Sequence, residues 1–511
     1  MIRPTPALPS RIVDSARRAF GAAALMAPFF IGCASGSGGS SGAGPGNDAA
    51  PGVDADVNGD DGSAMMEGST RGGGAGADGG TSMHEGGTSA EAGGKDAGAP
   101  GDPRGVAAVS ANTFLASLGV NTHIDQGFDA TKYAMPLQYA GIRNIRDGEH
   151  NIASAVTLHQ QTGVLVDLTA YTDLAGILAA GKTLDAAGAL LSFEGANEPN
   201  NFPSTYDGQQ GGGSGTWVPI AQYQRDLYSG VKGDAKLGKY AVFGVSEDGA
   251  ETDNVGLQFL TIPKGSGIAM PDGTRYSDYA NTHNYVSSNA GTYGDNQAWQ
   301  AADPTLNGPW DGLFVEYGTT WNKHFAGYSN ADLQTLPRVT TETGWDSTSN
   351  PGGERGQGVV LVNTYLSQFK RGWAYTFIYE LVDAQGSTGA QGLYHADFSP
   401  KPSATYIHDL TTVLADTVTV ATPGKLDYAI ASEPATVHDL LLQKSGGTFE
   451  LVVWDERATT TDSVMVSLGA TRKTVNLYDV TSGTTPTKTL SDVSNVALSL
   501  TDHAVIIEVE Q

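Results

Sequence analysis

Only one of the 511 residues is a cysteine, Cys33, so no intramolecular disulfide can brace the fold and packing alone must hold it. Basic residues are scarce as well: 29 Lys and Arg stand against 55 Asp and Glu, a formal net charge of −26. That balance excludes nucleic acid as a partner, because phosphate binding needs a basic face. Charged residues make up only 16% of the chain, low for a cytosolic enzyme. The histidines are scattered, with no His-Glu-x-x-His and no paired cysteines, so neither a metal site nor another cofactor is expected. A Gly-rich phosphate fingerprint does not follow the first strand, which argues against a dinucleotide-binding sheet. Nor does a Gly-x-Ser-x-Gly elbow occur in a strand-to-helix context, which removes the serine-hydrolase reading.

Glycine, by contrast, is abundant at 68 residues, and its distribution is uneven. Arg11, Arg17 and Arg18 precede an apolar run from Ala19 to Gly32, too short to span a bilayer as a mature helix and suited to an export signal. The run ends Phe30-Ile31-Gly32-Cys33, which resembles a bacterial lipobox with Phe30 where that motif usually carries Leu. The resemblance implies a lipoprotein signal peptide over residues 1–33, diacylglycerol on Cys33, and a chain exported and lipid-anchored to the cell envelope, with plain secretion as the alternative. Arg17-Arg18-Ala19-Phe20 also resembles the core of a twin-arginine signal. Residues 34–105 are Gly, Ser, Ala and Asp with almost no large apolar side chain. Such a stretch cannot bury enough surface to offset the entropy of ordering and reads as a disordered tether.

From Val106 the pattern becomes that of a folded protein. Eight short apolar runs read as strands: 118–121, 142–146, 164–168, 190–194, 240–245, 279–283, 338–342 and 374–379. Helix-like stretches fall between many of them, including 152–162, 220–230 and 358–370, the last with Val359, Val360, Val362, Leu366 and Phe369 at helical spacing. Eight strands in βα alternation over about three hundred residues predict an α/β fold, a (β/α)8 TIM barrel, across 106–416. Beyond Asp416 the helices stop. Runs at 439–443, 449–454, 464–468, 475–478 and 504–509 predict a small all-β sandwich over 417–511.

A TIM barrel gathers its chemistry at the C-terminal ends of its strands. The fourth ends Phe193-Glu194-Gly195-Ala196-Asn197-Glu198-Pro199 and the seventh ends Thr341-Glu342-Thr343-Gly344-Trp345. Carboxylates on strands four and seven face each other across a closed barrel. Paired carboxyl groups suit glycosidic cleavage, which needs one to protonate the leaving oxygen and another to attack or to activate water. Asn197-Glu198-Pro199 with a lone Glu on strand seven resembles the large retaining glycoside-hydrolase clan of (β/α)8 barrels, families 5, 30, 39 and 51 among them. The resemblance implies Glu198 as acid/base, Glu342 as nucleophile and Asn197 as a hydrogen-bond partner of the sugar 2-hydroxyl. It further implies a polysaccharide or oligosaccharide as substrate.

Other strand ends supply candidate substrate-binding groups. Arg146 ends strand two, where the clan commonly carries an Arg, and a cation there would keep Glu342 ionised. His283 and Tyr285 end strand six; the Tyr could hydrogen-bond the nucleophile and the His could position the sugar or the acid/base. His123 ends strand one, and Tyr379 and Glu380 end strand eight. Glu194 has the same facing parity as Glu198 but lies deeper, where a structural pairing with a buried Arg is the expectation. Trp217, Tyr293, Trp299, Trp310, Trp321 and Trp345 decorate the loops, and Trp345, close behind Glu342, is the expected sugar platform. Residues 201–216 read as a long rim after the acid/base. Two rivals remain open: a non-catalytic carbohydrate-binding lipoprotein on a degenerate barrel, and a lyase or transglycosylase on the same scaffold.

Overall fold

The computed structural model describes residues 104–199, 201–213, 215–246, 275–286, 295–302, 337–383 and 390–510. Cys33 and residues 34–103 of the expected tether lie outside the described residues, as do Tyr293, Trp310 and Trp321, while the tether's last two positions, Arg104 and Gly105, fall in a strand. Two short strands come first, β1 (Arg104–Ala107) and β2 (Val109–Ser110). The barrel follows: β3 (Leu118–Asn121), β4 (Asn144–Gly148), β5 (Leu165–Thr169), β6 (Leu190–Phe193), then a hairpin of β7 (Ser204–Tyr206) and β8 (Gln209–Gly211). Its remaining strands are β9 (Ala241–Val242), β10 (Ala280–Thr282), β11 (Arg338–Thr343) and β12 (Trp373–Ile378). The eight barrel strands pair in parallel in the order β10-β11-β12-β3-β4-β5-β6-β9. A parallel bridge between Phe243 and Tyr279 closes the ring between β9 and β10, and Gly244 N donates to Tyr279 O at 2.9 Å beside it.

The helices obey simple local rules. Ile152–Thr162 and Leu174–Ala187 each stop at a glycine with positive φ, Gly163 at 79° and Gly188 at 73°, conformations an L side chain resists. Asp173 caps the second of them, its side chain accepting from Gly176 N. The longest helix among the described residues, Gly353–Lys370, is buried from Gly356 through Gln368 on every face. A helix covered all round lies between layers, and this one packs the barrel wall on one side and the second sheet on the other. Its buried amide NH2 groups find acceptors: Gln357 donates to Trp345 O at 2.9 Å and Asn363 to Asp502 O at 3.0 Å.

The second sheet holds β13 (Lys425–Ala431), β14 (Val437–Gln443), β15 (Phe449–Asp455), β16 (Asp462–Asp479), β17 (Lys488–Leu500) and β18 (Ala504–Val509). It also holds the two strands that precede the barrel: β1 pairs antiparallel with β13, and β2 parallel with β14. Residues 417–511 therefore do not form the β region alone, and a boundary at 106 cuts through β1. One edge of β16 serves two neighbours, β13 along Met465–Ser467 and β18 along Val475–Asp479. Between these stretches Gly469 sits at φ 68°, and a Cβ there would press on Asp427. This irregularity in the strand lets the two halves share an apolar core containing Leu426, Tyr428, Leu451, Val453, Val466 and Ile507.

Candidate active site

Arg146 sits on the inner wall of β4, only 6% exposed, and one buried cation there must be fully paired. Its Nε and Nη2 donate to the two oxygens of Glu194 at 2.6 and 2.8 Å. Nη1 donates to Glu342 Oε1 at 2.6 Å, and Nη2 also to Asn197 Oδ1 at 2.7 Å. A single guanidinium thus ties the ends of β6 and β11 to β4. Glu194 takes the deep structural pairing expected of it. Burial works against its charge, but Arg146 outweighs burial and holds its pKa below the ordinary value. Next to it, burial and the Glu194 charge push the pKa of Asp167 on β5 well above its ordinary value.

Glu198 lies where the chain leaves β6, with φ at +39°, a left-handed backbone that costs a non-glycine residue about 1 kcal/mol. Hydrogen bonds on both sides hold it there: Glu198 N donates to Ser246 O at 2.9 Å, and Phe202 N donates to Glu198 O at 2.7 Å. Its Oε1 lies 2.6 Å from His283 Nδ1, and its Oε2 accepts from Asn201 Nδ2 at 3.3 Å. Glu342 Oε2 accepts from the Tyr285 hydroxyl at 2.9 Å and stands 3.6 Å from His283 Nδ1. One oxygen of each glutamate and a ring nitrogen of His283 all lie within 4.8 Å of one another. The two side chains are 5% and 11% exposed, nearly covered. The structure thus brings together Glu198, Glu342, Asn197, Arg146, His283 and Tyr285.

Burial, the largest influence, raises the Glu342 pKa above the ordinary value even though His283 and Arg146 pull it down. Arg146 thus pulls in the expected direction, against the larger opposing effect of burial. Glu198, His283 and Glu342 are the one group among the described residues whose donor atoms approach as metal ligands would. A divalent ion would have to break the 2.6 Å contact of His283 with Glu198 and compete with the Arg146 cation already bound to Glu342.

The ends of strands one and eight form a neighbouring group. His123 Nδ1 lies 3.3 Å from Glu380 Oε2, and its ring meets Tyr379 edge-on at 5.5 Å. Burial lowers the His123 pKa, favouring the neutral ring. Asp147, which the sequence did not single out, fixes this loop by accepting from Ile124 N and Asp125 N at 2.9 Å each and from the Thr122 hydroxyl. Burial and the nearby Asp125 push its pKa up to about 6.

The aromatics are placed differently from expectation. Trp345 is 1% exposed and belongs to the main core, so it offers no free ring face; it packs the loop after β11 onto the barrel. Trp299 stacks on His438 at 3.9 Å with Arg371 over its other side at 3.8 Å, an anchor between the second sheet and a barrel helix. Trp217 donates from Nε1 to Gly213 O. Much of the rim after Glu198 is the β7–β8 hairpin rather than a structureless loop. An aromatic at the rim is Tyr171, 51% exposed, just past β5. Its pKa is raised by partial burial and by Asp125, and the charges of Arg146, Glu342 and Glu198 reach it. Its position two residues beyond a strand end was the available signal.

No family model and no curated relative matches the chain. Solved structures do. A family 39 glycoside hydrolase from the gut symbiont Bacteroides cellulosilyticus superposes with a TM-score of 0.51 at 17% identity, over 79% of this chain and 82% of that one. A bifunctional glucanase–xylanase from a metagenome library gives 0.51 at 12% identity, over 80% and 97%. At such identities the likeness is one of architecture, and the chain shares its fold with these (β/α)8-barrel glycoside hydrolases.

Proposed function

We propose that the protein is an O-glycoside hydrolase that cleaves a polysaccharide or oligosaccharide with retention of configuration. The observation that carries this reading is the convergence of Glu198 and Glu342, from opposite walls, to oxygens within 4.8 Å of one another. Retaining chemistry needs carboxyl groups about 5–5.5 Å apart, whereas inverting chemistry leaves roughly 6.5–9.5 Å for a water between them. In the first step a Glu342 oxygen attacks the anomeric carbon, the glycosidic C–O bond breaks, and the leaving oxygen takes the proton of Glu198. In the second, water attacks the same carbon, gives its proton to Glu198, and the bond to Glu342 breaks.

The neighbours fit these roles. Arg146 and Tyr285 hold the two oxygens of Glu342. Arg146 can only donate, so the Asn197 atom facing it is the amide oxygen, and the amide NH2 is left to donate to a sugar hydroxyl. His123, Tyr379 and Glu380, grouped at the strand-one and strand-eight ends, would bind further hydroxyls. Glu342→Ala should abolish turnover of aryl glycosides. Azide should restore Glu198→Ala by attacking the glycosyl–enzyme carbon and releasing a glycosyl azide of retained configuration. Full activity in both variants would sink the assignment.

The first 33 residues support export and a lipid anchor, because a charged start, a short apolar run and Cys33 follow one another in the order a lipoprotein signal requires. Labelled palmitate should enter the wild-type chain and not Cys33→Ser. Equal labelling would remove the anchor.

A further inference from the structure

The closed circuit of hydrogen bonds beneath the two glutamates contains one hydroxyl with no role in the chemistry above. Thr341 precedes Glu342 on β11, is fully buried, and its Oγ1 has three polar neighbours. They are Asn281 Oδ1 at 3.0 Å, Glu194 Oε1 at 3.1 Å and His283 Nε2 at 3.1 Å. A hydroxyl has one proton to give and two lone pairs to offer.

Two of the neighbours can only accept. The Asn281 amide is oriented by its Nδ2, which donates to Gly244 O at 3.3 Å, so its oxygen faces Thr341. Glu194 is held by two N–H groups of Arg146, which keeps it an acceptor. The Thr341 proton therefore goes to an oxygen, and what remains for His283 Nε2 is a lone pair. A bare Nε2 would face that lone pair with its own. His283 must carry its proton on Nε2.

The consequence falls on the other ring nitrogen. Nδ1 lies 2.6 Å from Glu198 Oε1, a separation that two lone pairs do not tolerate in a buried site. One proton has to lie between them, on the carboxyl group or on the ring. We propose that Thr341 is the positioning residue that pins the Nε2–H tautomer of His283 and so makes Glu198 and His283 a pair that holds one proton ready for the leaving group. Around this pair stand Glu342, with Oε2 at 3.6 Å from Nδ1, Glu194 through Thr341, the Tyr285 hydroxyl, and Arg146 as the balancing cation. Once the proton has gone to the leaving oxygen, Oε1 and Nδ1 repel, which sharpens the demand for the proton of the incoming water. The same contact serves the acid step and the base step.

The activity consequence rests on the glycosidase reading; the tautomer does not, and the test separates them. In the full-length chain labelled with 15N-histidine, His283, assigned by loss of its signal in His283→Gln, should show a protonated Nε2. Thr341→Val, nearly isosteric, removes the acceptor, and the ring should turn to the Nδ1–H tautomer against an ionised Glu198. On aryl glycosides Thr341→Val should then lose activity in proportion to the leaving group's basicity, about 10–100-fold for phenol and little for dinitrophenol, which departs without a proton. The basic limb of its pH profile should move down by about one unit, and Thr341→Ser should restore both. A bare Nε2 in the wild-type chain overturns the proposal even if the valine variant does not fold. An unchanged tautomer in Thr341→Val overturns it, as does a loss independent of the leaving group. If the wild-type chain hydrolyses no aryl glycoside, the glycosidase reading fails and the nitrogen spectrum still decides the tautomer.

Discussion

Arg146 divides its donors between two acids, Glu194 and Glu342, so Glu342 receives only part of its charge. Burial is the largest influence on Glu342, and its pKa rises. Further support for its ionised form comes from His283 and from the Tyr285 hydroxyl at 2.9 Å, which donates to Oε2. Removing that hydroxyl should push the pKa higher still. Tyr285→Phe is expected to move the acidic limb of kcat/KM upward by about 0.5–1 pH unit, the worth of one hydrogen bond to a charged oxygen. A pH–rate profile checks this, and an unmoved acidic limb would mean that the bond contributes nothing to ionisation. The grouping of Glu198, Glu342, Arg146 and Tyr285 was readable because ionisable groups at strand ends stand out in an apolar pattern. Thr341 was not, since a threonine in a strand satisfies β-propensity and betrays no second use. Trp345 misled for a related reason: three residues of sequence separation say nothing about which way an indole turns.

At the scale of elements, β6 shows how tightly the site depends on its support. Gly195 follows Glu194, and a Cβ there would meet the Gln224 side chain and the backbone nitrogen of Val245. Gln224 has no room to yield, because its Nε2 donates to Phe243 O at 3.1 Å and to Tyr276 O at 2.9 Å. Gly195→Ala should cost about 1–3 kcal/mol by overpacking and displace Glu198, three residues on. A lowered urea midpoint together with reduced turnover is the expected result; wild-type behaviour in both would show that the strand end shifts freely. The barrel strands themselves were legible to within two residues at seven of eight positions, and β3 and the helix Ile152–Thr162 coincide with their expected bounds. Runs buried on both faces leave a continuous apolar signature. The second sheet was read less well. In β13 and β17 exposed Lys, Asp and Ser alternate with single apolar residues, which dilutes the pattern below recognition. The polar stretch from Gly469 to Lys473 made one long strand, β16, look like two.

For the molecule as a whole, the chain begins its second sheet before the barrel and finishes it afterwards, with β1 and β2 finding partners more than three hundred residues away. Pairings of that span leave no local trace, which is why the sequence placed the β region after residue 416 alone. Barrel and sheet are joined through the buried helix Gly353–Lys370 and a charged cluster at its start. Arg355 donates to both oxygens of Asp502, at 2.5 and 2.8 Å. The next residue, His503, places Nε2 3.4 Å from Asp479 and Nδ1 3.5 Å from Asp502. Burial alone would lower the His503 pKa, but these two carboxylates reverse it and push it up to about 9. A folded-state pKa above the unfolded value of about 6.5 stabilises the protein below pH 6.5, and the gain is lost as pH rises through about 9. At about 1.4 kcal/mol per unit the ceiling is about 3 kcal/mol, counted once for the whole cluster because the histidine and its carboxylates share the same interaction. Urea unfolding of His503→Gln should therefore show its full deficit at pH 6, a smaller one at pH 8 and almost none at pH 10. A deficit of equal size at all three would mean that the ring joins barrel and sheet by packing, with its charge contributing nothing.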